Sequence, residues 1–518
     1  MKSITDAFTP VRIPAVLLVA CLGGCSPVGP DFVKPEAAEP AGWSQPPEQG
    51  LETAPADIAE WWTLFDDPAL NQLVKTALRN NNTLEIAALR VLEARAQLGI
   101  AQGARYPQVQ AAAGEATWVS PADNTGASAD FWQYGLGASV SWEIDFWGRY
   151  RRAIESADAT YLASIAAYEQ AKTLLTASVA DSYTVMRTLE EQLKIAHENL
   201  KIQQRSYDIA AVLYRNGADS ELDMQQARTL LLATEASVPS LESSLKQALN
   251  ALSILLGEPP GAVASRLPKD TGIPVVPESV AVGLPADMLR RRPDVREAEL
   301  LAVARNAQVG LAEADLYPSF SLSGSIGLSA GGPGGSSFGD LFSADALAIS
   351  AGPSFVWPFL NYGRIKNNVR VQDARLQQAL LNYRETVLRA ARETEDAMAT
   401  FTGTRKQAAI LKQTVVSARR SNALSTLRYQ EGFSDYQRVL NSQQSLFTQQ
   451  QRYVNVRGEN ARSLIAICKA LGGGWEQRED IPWLDPEIVD TMRQRTDWGS
   501  LIEAAYPGSA PAEADPEH

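Results

Sequence analysis

The chain has 518 residues, 45% hydrophobic and 21% charged, with a formal net charge of −13. That length would ordinarily mean about three globular units, and the acidity gives a nucleic-acid partner no support. Only three cysteines occur, Cys21, Cys25 and Cys468, which excludes a disulfide framework.

The acidic balance belongs to the two ends. Residues 31–67 carry nine acids against Lys34, residues 475–518 carry eleven acids against three Arg, and residues 68–474 come out at +2. Both ends are rich in Pro and read as solvated linker rather than binding surface. Ahead of them, residues 1–24 hold Lys2 and Arg12, an apolar run from Ile13 to Cys21 and small residues before Cys25. This is the plan of a cleaved secretory signal, too short to span a membrane and stay. Leu22-Gly23-Gly24-Cys25 has the spacing of a bacterial lipobox, with Gly23 an unusual choice. There the thiol of the first mature residue takes diacylglycerol and the freed amine a third acyl chain; the alternative is an ordinary signal that leaves a free Cys. Ser26 in place of an Asp matches the rule that sorts lipoproteins to the outer membrane.

The first predicted helix opens a duplication. Asn80 to Pro107 aligns without gaps on Arg291 to Pro318, pairing Gly99 with Gly310 and Tyr106-Pro107 with Tyr317-Pro318. A strand over 132–144 follows, with Trp132, Tyr134, Leu136, Val140, Trp142 and Ile144 on one side and Gln133, Gly135, Gly137, Ser139, Ser141 and Glu143 on the other. Residues 108–119 alternate poorly but pair naturally as a fourth strand. From Tyr150 to Tyr214 a coiled-coil pattern is expected, with Tyr161, Tyr168 and Leu175 on one seam and Ile165, Val179 and Met186 on the other. Such a helix is on the order of 95 Å long at ~1.5 Å per residue, which a tube crossing the periplasm needs and a compact domain does not. Its end is a turn at Gly217, from which a second helix returns.

The second copy repeats this order. Phe320, Leu322, Ile326 and Leu328 alternate with Ser319, Ser321, Ser323, Ser325 and Ser329, and Leu347, Ile349, Phe355, Trp357 and Phe359 resume the rhythm after a Gly-rich loop at 331–335. That loop lacks the strand–loop–helix setting of a phosphate site. The next seams run through Leu376, Tyr383, Ala390 and Ala397 and through Leu380, Val387, Thr394 and Phe401, ending at a turn on Gly432. Tyr214, Gly217 and Met224 recur as Tyr429, Gly432 and Val439 at one offset. The chain therefore divides into a signal peptide at 1–24, a linker at 25–67, a first repeat at 68–260, a linker at 261–283, a second repeat at 284–474 and an acidic tail at 475–518.

One apolar and one Ser/Gly/Gln face on every strand suits a membrane barrel, with lipid outside and water inside, or a soluble sandwich with one wet face. Four strands with open edges cannot sit in lipid, so a barrel must be closed by several copies. Two copies would give eight strands and a filled interior; three would give twelve and a lumen. Chemistry has little to work with: His197 lies on a helix, His518 ends the chain, and Cys468 stands alone in an apolar run. No catalytic residue, metal site or cofactor is expected.

Taken together, Cys25-Ser-Pro-Val-Gly-Pro-Asp-Phe-Val-Lys-Pro35, Trp61-Trp62-Thr-Leu-Phe65, Asp145-Phe-Trp-Gly148-Arg, Leu284-Pro285 through Pro293-Asp294 and the two Gly turns resemble the TolC-like outer-membrane efflux proteins. Within them the chain is most similar to the lipidated, NodT-like factors that serve resistance-nodulation-division pumps. The resemblance implies a mainly α fold with a β-barrel part: a homotrimer whose long coiled-coil helices form an α-barrel and whose four strands per chain complete a twelve-stranded transmembrane β-barrel. It further implies a collar built partly from the chain ends, a lipid anchor in the outer membrane at Cys25, a periplasmic adaptor as partner and an inner-membrane pump beyond it. The function implied is passive conduction of drugs or other small molecules; the competing reading is a lipidated coiled-coil spacer of the cell envelope. By resemblance, polar links near the turns hold the tip shut, and the matching positions are Asp223 and Tyr429. An acidic pair expected after the second turn is replaced by Arg438 and Asn441, which puts a cation-binding ring there in doubt.

Overall fold

The computed structural model describes residues 27–36, 42–43, 50–52, 54, 57–120, 130–268, 271–283, 289–332, 337–476 and 482–504. The signal segment, the lipobox with Cys25, the stretch 284–288 and most of the Gly-rich loop lie outside the described residues. In chain order the elements are β1 (Leu51–Glu52), α1 (Pro68–Asn80), α2 (Asn82–Gly103), β2 (Val109–Val119), β3 (Phe131–Ile144), α3 (Arg149–Arg215), α4 (Glu221–Leu255) and β4 (Val280–Ala281). The second half gives α5 (Pro293–Ala314), β5 (Ser319–Ala330), β6 (Leu347–Val356), α6 (Arg364–Gln430), α7 (Tyr436–Ala470) and α8 (Pro486–Arg495). Helices α3 and α6 both have 67 residues, and α4 and α7 both have 35. The duplication thus holds to the residue in the helices and loosens only between the strands.

Two compact units form. Among the described residues one draws on 27–35, 93–162 and 299–381, the other on 36–92, 163–298 and 382–504. The first contains an antiparallel sheet in the order β2-β3-β5-β6. Its register lays like on like: Trp142 faces Leu322, Ile144 faces Phe320 and Phe320 faces Phe355 on one side, while Ser141 faces Ser323 and Ser325 faces Ser350 on the other. Strand β6 stops at Val356, short of the expected Trp357 and Phe359, because Pro358 has no N–H to continue a ladder. Pro353 stands inside β6, opposite Leu322 of β5.

The helices entering this unit are anchored by short-range chemistry. Asp145 accepts hydrogen bonds from the backbone N–H groups of Tyr150 and Arg151, both at 3.0 Å, and so caps α3. Gly148 just before it has φ +79°, and a Cβ there would lie 2.4 Å from that of Pro27. Residues 27–34 run over these helices as a strap: Arg152 donates to the Val28 and Gly29 carbonyls at 3.2 and 3.1 Å and to Asp31 at 2.9 Å, and Lys34 pairs with Glu299 at 2.6 Å.

In the second unit the predicted seams are buried. Tyr383, Val387, Ala390, Thr394, Ala397 and Phe401 are each less than 8% exposed, as are Tyr168, Leu175, Val179 and Met186 in the first copy. Ahead of α2 the chain makes a break that periodicity did not reveal. Asn81 ends α1, caps α2 through Leu84 N–H at 2.9 Å and donates to the Leu255 carbonyl at 3.0 Å. A short 3-10 turn over Trp61–Phe65 buries Trp61, Trp62 and Phe65, and Asp67 beyond it both caps α1 and accepts from the Tyr183 hydroxyl at 2.8 Å. Strands β1 and β4 pair in parallel, so a residue pair from each linker closes on the other.

Candidate functional site

Two places carry the features singled out by the sequence, one in each unit. In the first, both faces of the sheet are open. Leu136, Val140, Ile326, Ile349 and Phe355 are 47–68% exposed in the single chain, more apolar surface than a soluble sheet leaves in water. Aromatic side chains gather at both strand ends. At the helix-side end the indole N–H groups of Trp142, Trp147 and Trp357 donate to the carbonyls of Arg105, Pro318 and Leu316 at 3.1, 2.8 and 3.1 Å. At the far end Trp118 meets Trp132 and Tyr134 meets Phe338, both with centroids 5.4 Å apart. From Trp132 to Trp142 is roughly 33 Å along the strand, which at a barrel tilt of about 40° leaves roughly 25 Å of height, the thickness of an outer-membrane apolar band. On the opposite face serines meet across the strands, Ser141 on Ser323 at 3.2 Å and Ser325 on Ser350 at 2.9 Å, while β2 adds Val109, Ala111 and Ala113 beside Glu115 and Thr117.

The second place is the pair of helix turns. Gly217 and Gly432 have φ +70° and +77°, the left-handed region that a Cβ penalises. Both turns close with the same two bonds, from Gly217 N–H to Tyr214 and Ala218 N–H to Leu213, and from Gly432 N–H to Tyr429 and Phe433 N–H to Arg428, all between 2.8 and 3.0 Å. This double closure satisfies carbonyls that a helix end leaves orphaned. Behind the turns Ala210, Ala227, Tyr429, Tyr436 and Val439 form a buried cluster with Met224 and Leu440 against it, so the apolar residues that follow each Gly at one offset meet in one core.

The structure moves the expected polar link by four residues. The Tyr429 hydroxyl donates to Asp219, on the first turn itself, and not to Asp223. Asp223 is occupied by its own helix start: it accepts from the Ser220 hydroxyl at 2.7 Å and donates its N–H back to that oxygen at 3.2 Å. Asp219 and Asp223 nevertheless act on each other. Burial pushes Asp219 up, but the hydrogen bonds from the Tyr429 hydroxyl and the Ser220 N–H, together with the neighbouring Asp223, outweigh it and hold the carboxyl below its ordinary value. Burial raises Asp223, the Ser220 hydroxyl opposes it, and the neighbouring Asp219 carries the balance upward. Burial and the bond to Asp219 drive the Tyr429 phenol up, and burial with Asp223 nearby pushes Tyr436 up to about 12. Neither phenol ionises at neutral pH, so Tyr429 remains a donor.

Arg438 stands 3.9 Å from Asp435 with both side chains 71% exposed, and Asn441 accepts from Gln437 at 3.2 Å. Phe433 is 72% exposed. A further feature escaped the sequence reading. Helix α7 is bonded to α3 and α6 by amides and hydroxyls, most of them buried: Asn199 to Gln450 at 2.8 Å, Gln443 to Ser206 at 2.6 Å, Gln192 to Asn455, Ser442 to Asn422 at 3.3 Å and Asn460 to Thr404 at 3.1 Å. The signal available was the seven-residue spacing of Gln192, Asn199 and Ser206.

Comparison with known proteins gives one consistent answer. Residues 73–258 and 284–473 each match the model of the outer membrane efflux protein family. Cation efflux system protein CusC of Escherichia coli O6:H1 is 31% identical over 471 residues, which are 90% of this chain and all of that protein. Probable efflux pump outer membrane protein TtgC of Pseudomonas putida is 32% identical over 469 residues, 88% of this chain and 94% of its own. Among solved structures, the outer-membrane channel OprN superposes with a TM-score of 0.79 at 31% identity, covering 87% of this chain and 100% of its own. A crystal structure of CusC gives 0.76 at 30% identity, covering 86% and 100%.

Proposed function

The chain belongs to the outer membrane efflux protein family, and from that premise we propose that it works as a homotrimer that receives cargo from a periplasmic adaptor and an inner-membrane resistance-nodulation-division pump. It is an outer-membrane efflux channel that extends into the periplasm, with the α-barrel and β-barrel architecture of its relatives. The observation that carries the trimer is the sheet: four strands with one face for lipid, one for water and two open edges. Open edges are not stable in a bilayer. Three copies of four strands close a twelve-stranded barrel with room for a lumen.

Two finer parts belong to the same reading. Residues 1–24 are removed and Cys25 is acylated, leaving repeats 68–260 and 284–474 to form the conduit and the linkers and the acidic tail to contribute to a collar. Tyr429, with Asp219 as direct partner and Asp223 behind it, latches the periplasmic tip near Gly217 and Gly432. Conduction is passive, and no catalytic chemistry is assigned to any residue.

The test is expression in cells whose own efflux channel has been deleted, with the adaptor and pump encoded beside this gene. Restored efflux and a particle of three chains in native mass spectrometry are expected; a monomer free in the periplasm would refute the reading. For the anchor, a palmitate analogue should label the wild-type mature band and not Cys25→Ser. Because the barrel spans by itself, that variant should keep partial activity.

A further inference from the structure

The strand-bearing stretches have a one-sided charge that the channel reading leaves unused. Residues 106–148 contain five acids, Glu115, Asp123, Asp130, Glu143 and Asp145, and residues 317–363 contain two, Asp340 and Asp345; neither contains a Lys or an Arg. Basic residues begin at their borders, with Arg105, Arg149 and Arg364. Several of the acids are already engaged. Asp145 caps α3 and takes Arg151, Glu143 pairs with Arg149 at 3.4 Å, Asp130 accepts from Ser120 at 2.7 Å, and Asp340 accepts from the Ser337 N–H at 2.7 Å.

Glu115 is different. It lies inside β2, opposite Gly135 of β3, on the face that holds Ser139, Ser141, Ser323 and Ser325. Its side chain lies over Gly135, where an added Cβ would meet its Cγ at 3.0 Å and its Oε1 at 3.2 Å. Among the described residues no cation pairs with it, and it borders a 520 Å³ concavity whose floor is Gly135, Gly137 and Gly327. A carboxylate next to such small residues is not screened by neighbouring side chains.

We propose that Glu115, repeated around the closed barrel, makes the transmembrane lumen selective for cations and is the residue of the strands that sets this preference. This rests on the channel reading, which places the polar face in the lumen. A ring of like charges in a confined aqueous path raises the local concentration of counter-ions and lowers that of co-ions. Three carboxylates at one level, with further acids and no base in the same segments, give a field of one sign through the barrel. Glu143, neutralised by Arg149, contributes less.

A local probe tests this independently of any narrowing elsewhere along the conduit. Thr117→Cys places a thiol on the same face as Glu115, two positions along β2. In the full-length protein in phosphatidylcholine nanodiscs at about 10 mM salt, where screening extends to roughly 30 Å, its reaction with cationic and anionic methanethiosulfonates is compared. Rates are normalised to free cysteine, and labelling of the parent chain is subtracted; Cys468 is buried and its thiol pushed up to about 12. The cationic reagent should react at least threefold faster. Adding Glu115→Gln should bring the ratio near one, and Glu115→Asp should preserve it. A ratio that Glu115→Gln leaves unchanged overturns the proposal. Gln133→Cys, directly across the β2–β3 pair from Thr117, gives the same readout should Thr117→Cys fail to assemble. Leu136→Cys, on the apolar face, separates the two levels of the argument. Labelling of Leu136→Cys as fast as Thr117→Cys would show that the faces are not lipid and lumen, which overturns the channel reading and this proposal with it.

Discussion

Lys172 on α3 is 6% exposed, its ammonium 5.2 Å from the Tyr168 ring centre and 3.4 Å from the Trp475 carbonyl. Burial lowers it to about 8, with Glu169 pulling the other way. Glu169 is itself raised by burial despite its 2.7 Å ion pair with Arg296. An unfolded Lys holds its proton to about pH 10.4, so between about pH 8 and that value the unfolded chain binds more protons than the folded one. Stability therefore rises with pH across that window, and below about pH 8 the full cost of burying the charge is present. Replacing Lys172 by Met should remove this rise and increase thermal stability at pH 7. Thermal melts of the helical signal at pH 7, 8 and 9.5 check it: parallel pH profiles for wild type and variant would mean that Lys172 keeps its ordinary proton affinity. The same neighbourhood shows what single residues conceal in sequence. Nothing in the spacing of Lys172 and Trp475 announces that they touch, because the contact joins a helix to the chain that leaves α7.

At the scale of elements, most of the architecture was legible because each element keeps one strict period. The two-residue alternation of 132–144 and 319–329 gave β3 and β5 nearly to their ends, and the seams through Tyr383 and Phe401 gave α6 its buried face. What was not legible came from residues that act against the local pattern. Asn81 interrupts an otherwise helical run because its side chain serves two helix ends at once. Pro358 ends β6 where hydrophobicity continued. Asp219 takes Tyr429 because the turn at Gly217 reverses the chain and presents Asp219, while Ser220 draws Asp223 into its cap. The strand faces yield a direct prediction. An Arg at Leu136 or Ile326, on the apolar side, should cost about 2–4 kcal/mol near the membrane midplane, while Arg at Ser139 or Ser323 should cost far less. Heat-resistant oligomer on gels reports the difference, and equal tolerance on both faces would favour a sheet that lives in water.

For the whole assembly the decisive property is whether the tip opens without the channel coming apart. The bond from Tyr429 to Asp219 joins the two hairpins of one chain, which run on separate helix pairs and share the buried cluster of Tyr436 and Val439. A hydrogen bond to a charged acceptor contributes roughly 1.5–3 kcal/mol, too little to hold a fold together. In the proposed trimer the bond would recur three times and bias a closed state against an open one, since population follows the sum of the differences between states. Asp219→Ala combined with Tyr429→Phe should therefore raise single-channel conductance in planar bilayers and admit large antibiotics such as vancomycin into cells, with trimer yield unchanged. Asp223→Ala alone should do less, because its first partner is Ser220 in its own helix and its hold on the latch passes through Asp219. A doubly substituted channel that inserts normally and conducts like wild type would show that the latch does not close the tip. The exposed Phe433 beside the second turn is then the residue to substitute next, since an apolar ring 72% exposed in one chain has three copies with which to close a threefold opening.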